Sequence, residues 1–179
     1  RKKTDLLAYV VTDDKVSMKS VKLAGMLEER LKRKGIHIRS VNMKKFKEEV
    51  VKIKEVDNLA WEKNWGFVPA TDDEFAHLAD GLKMVIDPDF ALIAEKDGKM
   101  IGFALAVPDI NQVMRTVKRG RLLPLGIFKL LFGKKNIKKI RIITLGVIEE
   151  HRKSGIEGIF YGRIISNGLK KGIDAAEAM

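Results

Sequence analysis

Apolar and polar positions along this chain follow two rhythms, and each predicts a different element. Met18 to Lys34 carries Ala24, Leu27 and Leu31 at steps of three and four, with Gly35 as a stop signal, which predicts a helix. Ile36 to Val41 alternates apolar and polar residues, the pattern of a half-buried strand. Phe46, Val50, Ile53, Val56 and Ala60 return to helical spacing, and Trp65 to Pro69 reads as a loop. Thr71-Asp72-Asp73-Glu74 has the form of a capping box, in which a hydroxyl and a carboxylate three residues on serve orphan amides reciprocally. The helix it opens has an apolar stripe of Phe75, Leu78, Ala79 and Leu82.

Phe90 to Glu95 and Met100 to Val107 are apolar runs around Lys96-Asp97-Gly98-Lys99. An Asp-Gly turn between such runs is a strong hairpin signal. The second run is apolar on both faces and belongs in the middle of a covered sheet. Ile140 to Ile148 is a further strand. Ile156 to Lys171 is a helix with Ile159, Phe160, Ile164 and Leu169 available for burial, and Gly172-Ile173-Asp174 opens another strand. Near the start, Leu6 to Val11 reads as a short strand with no evident partner. From Ile36 onward the order predicts an α/β domain: a mixed, mostly antiparallel central sheet with helices on both sides.

Composition narrows the function. The hydrophobic share of 45% supports a core, and no apolar run reaches the 18 residues that suggest a membrane span. The absence of cysteine excludes a disulfide scaffold and thiolate chemistry, and it fits a reducing, cytoplasmic setting. His37, His77 and His151 lack metal-ligand spacing, so no metal is expected. The net charge of +11 is uneven: from Ile110 to Ile148 there are ten basic residues and no acidic one. That irregular basic insert, Asp109 to Lys139, also holds an apolar patch from Leu122 to Phe132. It attracts polyanions, a phosphate-rich ligand or an anionic surface. Nucleic acid is disfavoured, because Phe128 and Phe132 lie in an apolar run and form no stacking platform.

The segment with chemistry joins the strand Ile140 to Ile148 to the following helix through Glu149-Glu150-His151-Arg152-Lys153-Ser154-Gly155-Ile156-Glu157-Gly158. Unpaired amides and the helix dipole make such a joint an anion site, and Gly155 permits close approach.

Arg152-Lys153-Ser154-Gly155-Ile156-Glu157 resembles the acyl-CoA signature of the GNAT superfamily, Arg/Gln-x-x-Gly-x-Gly/Ala, with Glu157 at the position usually Gly or Ala and Lys153 where Gly often follows the Arg. Ala60 to Pro69, Ala106 to Gln112 and Thr144 to Val147 resemble a bacterial GNAT-like group of unassigned substrate, in which a GNAT-like half often precedes this one. The resemblance implies the acyl-CoA N-acyltransferase fold from about Ile36, its C-terminal part missing, with residues 1–34 a tail strand of a preceding domain plus a linker helix. It implies acyl-CoA, acetyl-CoA foremost, as co-substrate and an amine as acceptor, attacked directly and without a covalent enzyme intermediate. It assigns Leu145, Gly146 and Val147 to the pantetheine arm, and Arg152, Lys153, Ser154, Gly155, Ile156, Glu157 and Gly158 to the pyrophosphate. Asp109, Asn111 and Glu149 stand as candidates for the catalytic base, and Trp61 and Trp65 as packing residues or acceptor-pocket lining. The acid, usually a Tyr, would lie past the last residue, and Tyr161 reads as packing, so an inactive fragment is expected. Two other readings remain: a GNAT-like binding or structural domain without catalysis, and a basic module for nucleic acid or a membrane surface.

Overall fold

The computed structural model describes residues 8–115, 117, 133 and 136–178. Its strands are β1 (Tyr9–Thr12), β2 (Ile36–Ser40), β3 (Ala91–Lys96), β4 (Lys99–Pro108), β5 (Lys139–Val147) and β6 (Ala175–Ala178). Its helices are α1 (Met18–Lys32), α2 (Phe46–Trp61), α3 (Asp72–Lys83), the single turn α4 (Asn111–Met114) and α5 (Ile156–Lys170). Six strands form one sheet in the order β1-β6-β5-β4-β3-β2. Every pairing is antiparallel except β5 with β6, which is parallel because α5 carries the chain back across the sheet. The mixed sheet with helices on both faces is thus as the sequence predicts. The apolar patch Leu122 to Phe132 and most of the basic insert lie outside the described residues.

Local chemistry accounts for the elements. Asp97 and Gly98 both take positive φ, 51° and 75°, so the hairpin turns tightly between β3 and β4. Thr71 accepts from the Glu74 amide and Glu74 reaches back to the Thr71 amide, completing the capping box that starts α3.

One face of the sheet packs against α1 and α5. Leu92, Ala94, Ala104 and Ile140 meet Leu31 of α1 and Ile156, Ile159, Phe160 and Ile164 of α5 in a single cluster. The two helices approach so closely that a Cβ on Gly162 would stand 2.2 Å from the Cβ of Ala24. Arg163 also donates to Glu28 across this contact.

Residues 1–34 need a correction here. The strand without an evident partner finds one inside the chain: Tyr9 to Thr12 pair with Ala178 to Ala175, and α1 buries Leu31 in the main core. The described part of this segment therefore belongs to the same sheet and core as the rest. The partner escaped notice because Ala175-Ala176-Glu177-Ala178 has weak strand propensity and lies far along the chain.

Candidate active site

The sheet is interrupted at one informative place. Leu105 pairs with Thr144 and Ala106 with Ile142, so Ile143 is an extra residue, a bulge in the middle of β5. The bulge flips the alternation: Ile140 and Ile142 face the α1–α5 core, and so do Leu145 and Val147 beyond it. The sequence carries this signal as the adjacent pair Ile142-Ile143, which breaks the period of two. Beyond the bulge, Gly146 lies under α2: an added Cβ would come within 3.0 Å of the Phe103 ring and 3.1 Å of Ala60.

β5 leads into the joint before α5. Glu149 to His151 form a 3-10 turn, Lys153 takes φ 60°, and Gly155 caps the helix at φ 100°, in the left-handed region. Only glycine enters that region without strain, so this position fixes the direction of the helix. Ile156, Ile159 and Phe160, all fully buried, hold the first turn against the core. The Ser154 hydroxyl donates to the His151 carbonyl at 2.7 Å. The amides of Lys153 to Gly158 make no backbone hydrogen bond among the described residues. They are available donors at the positive end of a fifteen-residue helix.

Arg152 has a different geometry from the one its place in the signature suggests. Its Nε donates to the Val147 carbonyl at 3.1 Å, and its guanidinium also donates to the Ala60 carbonyl. The side chain thereby ties the end of β5 to the end of α2. Lys153 is exposed and makes no ion pair among the described residues, whereas Arg152, though also exposed, has its guanidinium engaged by these two carbonyls. Glu157 is half-buried and makes no ion pair among the described residues.

The three candidate bases do not converge. Glu149 is held by Lys63 at 2.5 Å, and that hydrogen bond lowers its carboxyl below the ordinary range, which weakens it as a base. Asp109 accepts from the Asn111 amide at 3.3 Å, a loop-capping contact, and Asn111 is exposed at the start of α4. Both lie beyond Pro108, which pairs with Ile140, whereas the joint follows Val147, which pairs with Gly102. That separation is roughly 20 Å, six steps of β4 at about 3.4 Å per residue. Tyr161 is partly exposed and lines a groove beside α1, and no group of metal-ligating side chains occurs among the described residues. No described helix is long and apolar enough to cross a membrane.

Opposite the α1–α5 core, the sheet, α2 and α3 enclose a cavity of about 420 Å³. Phe46, Ile53, Phe75, Leu82, Ile93 and Phe103 give it an apolar wall. Ile143 and Thr144 of the bulge also line it, as does Trp61, whose indole N–H is shielded from solvent and has no acceptor among the described residues. Trp65, by contrast, is 82% exposed. Asp57 is the one charged side chain among the described lining residues. Burial raises its carboxyl above the usual range, and no cation pairs with it among the described residues. The pattern that read α2 as a packed helix gave no warning that Asp57 faces an open space.

No family model matches the chain. Protein YghO of Escherichia coli K12 is 37% identical over 126 residues, covering 69% of this chain and 32% of that protein. Bacterial ceramide synthase of Caulobacter vibrioides is 36% identical over 132 residues, covering 71% of this chain and 34% of that protein. The chain therefore spans about a third of the length of these curated relatives. Among solved structures, the C-terminal domain of a putative lysylphosphatidylglycerol synthetase from Agrobacterium fabrum matches at TM-score 0.56 and 11% identity, over 96% of this chain and 47% of that one. A GCN5-related N-acetyltransferase from Sphaerobacter thermophilus matches at TM-score 0.53 and 16% identity, over 80% of this chain and 35% of that one. These likenesses show the fold: the chain has the acyl-CoA N-acyltransferase (GNAT) fold.

Proposed function

We propose that the chain binds acyl-CoA and serves the transfer of its acyl group to an amine. The observation that carries this reading is the row of unpartnered amides from Lys153 to Gly158, placed directly after the bulged strand. A pyrophosphate satisfies such amides, and the helix dipole adds attraction. Lys153 supplies charge in this reading, while Arg152 supports the loop from behind. The pantetheine arm follows Leu145, Gly146 and Val147 back along β5, which brings the thioester toward the bulge at Ile143. There the amine nitrogen attacks the thioester carbonyl and loses a proton. Collapse of the tetrahedral adduct expels the CoA thiolate and leaves an amide.

The acceptor is the finer part of the proposal. One relative is named a ceramide synthase, and a ceramide is the amide of a fatty acid with a long-chain amino alcohol. The amine of a long-chain lipid base is therefore the acceptor class we assign, with the acyl donor a fatty acyl-CoA or acetyl-CoA. The same assignment extends to the whole protein of which such a chain forms about a third.

Calorimetric titration with CoA tests the reading. Gly155→Val puts a branched side chain at φ 100° and crowds the approach to the amides, so CoA affinity is expected to fall at least tenfold. Glu157→Ala removes a carboxylate from the first turn and leaves affinity unchanged or raises it, by up to about 1 kcal/mol. Equal affinity of wild type and a folded Gly155→Val chain would remove the loop from the binding site.

A further inference from the structure

The cavity between α2, α3 and the sheet has a predominantly apolar lining. Its wall is apolar but for three groups: the Asp57 carboxylate, the Thr144 hydroxyl and the Trp61 indole N–H. Two of these are chemically unsatisfied. Asp57 has no cation or hydrogen-bond donor among the described residues, and the Trp61 Nε1 is buried without an acceptor. Asp57 is half-buried and keeps some contact with solvent, yet a lone carboxylate on an otherwise apolar wall is uncommon. A ligand that brought one cation to Asp57 and an apolar body to the rest of the space would match this wall. Ile143 and Thr144 of the bulge also line it.

The cover of the cavity is unusual too. α3 presents Phe75, Leu78, Ala79 and Leu82 to it, yet none of the residues of α3 is buried, and Leu78 is 61% exposed. An apolar stripe that faces a space and is left partly wet has not found its packing partner within the described residues. An alkyl chain is the partner that matches it: apolar along its length, with no hydrogen bonds to lose on burial.

We propose that this cavity holds the alkyl tail of a long-chain primary amine beneath α3, with the ammonium at Asp57. The site deepens the acyl-transfer reading and rests on it for the amine's fate, but not for its binding. Seated there, the amine lies beside the bulge, where the thioester is proposed to arrive from the joint before α5. The ammonium pairs with Asp57 on binding and gives up one proton to solvent to become the neutral amine; as the carbon–nitrogen bond forms and the carbon–sulfur bond breaks, the nitrogen's second proton passes to the Asp57 carboxylate and the CoA thiolate leaves. Burial holds the Asp57 carboxyl above the usual range, which makes it a better acceptor for that proton.

The test uses dodecylamine, dodecanol and butylamine as probes, below their aggregation concentrations, with the full chain carrying Trp65→Phe so that emission reports Trp61 alone. Dodecylamine is expected to bind at least tenfold more tightly than either other probe. Ala79→Trp, which fills the space from α3, should weaken dodecylamine at least tenfold. Asp57→Asn should bring dodecylamine down to the affinity of dodecanol, and it serves as the second variant if Ala79→Trp does not fold. Equal binding of dodecylamine and butylamine, or an amine preference that survives Asp57→Asn, would overturn the proposal. So would loss of palmitoyl-CoA affinity in Ala79→Trp with dodecylamine unaffected, since the cavity would then hold the acyl chain. CoA titration of the same proteins separates the two ideas. Amine binding without CoA binding retires the acyl-transfer reading and keeps the cavity, and CoA binding without amine selectivity does the reverse.

Discussion

The two faces of the sheet are built from the same alternating strands, yet they end in opposite states. On one face, Ile156, Ile159, Phe160 and Ile164 of α5 are fully buried, and Gly162 lets α1 press close. On the other, α2 and α3 leave a cavity of about 420 Å³, and α3 buries nothing. Filled interiors approach crystal density, so a space of this size beneath an apolar helix marks a place where stability has not been maximised. The first face holds the fold together, and the second is where we propose that a substrate fits.

The largest effect is expected from removing residues 1–34. Deletion takes away β1, uncovers the α5 face and leaves Arg163 without Glu28. The shortened chain should lose its cooperative thermal transition, and a melting temperature equal to that of the whole chain would show that α1 is dispensable. Next come paired truncations across the sheet. Phe160→Ala should cost about 3–5 kcal/mol in urea unfolding, whereas Phe75→Ala on α3 should cost less than about 1 kcal/mol, because that ring is not buried. Similar costs at the two positions would erase the contrast between the faces.

Gly162→Ala probes the tight face more gently. The new Cβ cannot stay 2.2 Å from Ala24, so the helices must move apart, at an expected cost of about 1–3 kcal/mol. The smallest effect concerns Asp57 and has the opposite sign. Because its folded carboxyl is raised, ionisation opposes folding once the pH exceeds the unfolded value of about 3.9. Asp57→Asn should therefore stabilise the free protein at neutral pH and not near pH 3. The gain stays below about 1 kcal/mol, because the group is partly solvated. A loss of stability at neutral pH would mean that Asp57 has a partner in the folded chain.

The elements were legible because each was announced locally. The capping box at Thr71, the Asp97-Gly98 turn and the helical stripes of α2 and α5 are short-range signals, and all lie where the sequence puts them. The joint before α5 was legible through Gly155, which the sequence singles out for close approach and which takes a positive φ at the start of the helix. What escaped was long-range. The pairing of Tyr9 with Ala178 joins the two ends of the described chain, and no local pattern encodes it. The inward turn of Arg152 depends on where the end of α2 falls, and the cavity depends on how far α3 sits from the sheet. Asp57 and Trp61 share a face of α2 at a step of four, but that spacing does not distinguish a packed face from an open one.

Amide hydrogen exchange with and without acetyl-CoA tests the central claim most directly, because it reads the donors themselves. The account predicts slowed exchange at Lys153 to Gly158, with the fully buried part of α5 unchanged because it is already protected. Unchanged exchange across Lys153 to Gly158 at saturating acetyl-CoA would contradict it.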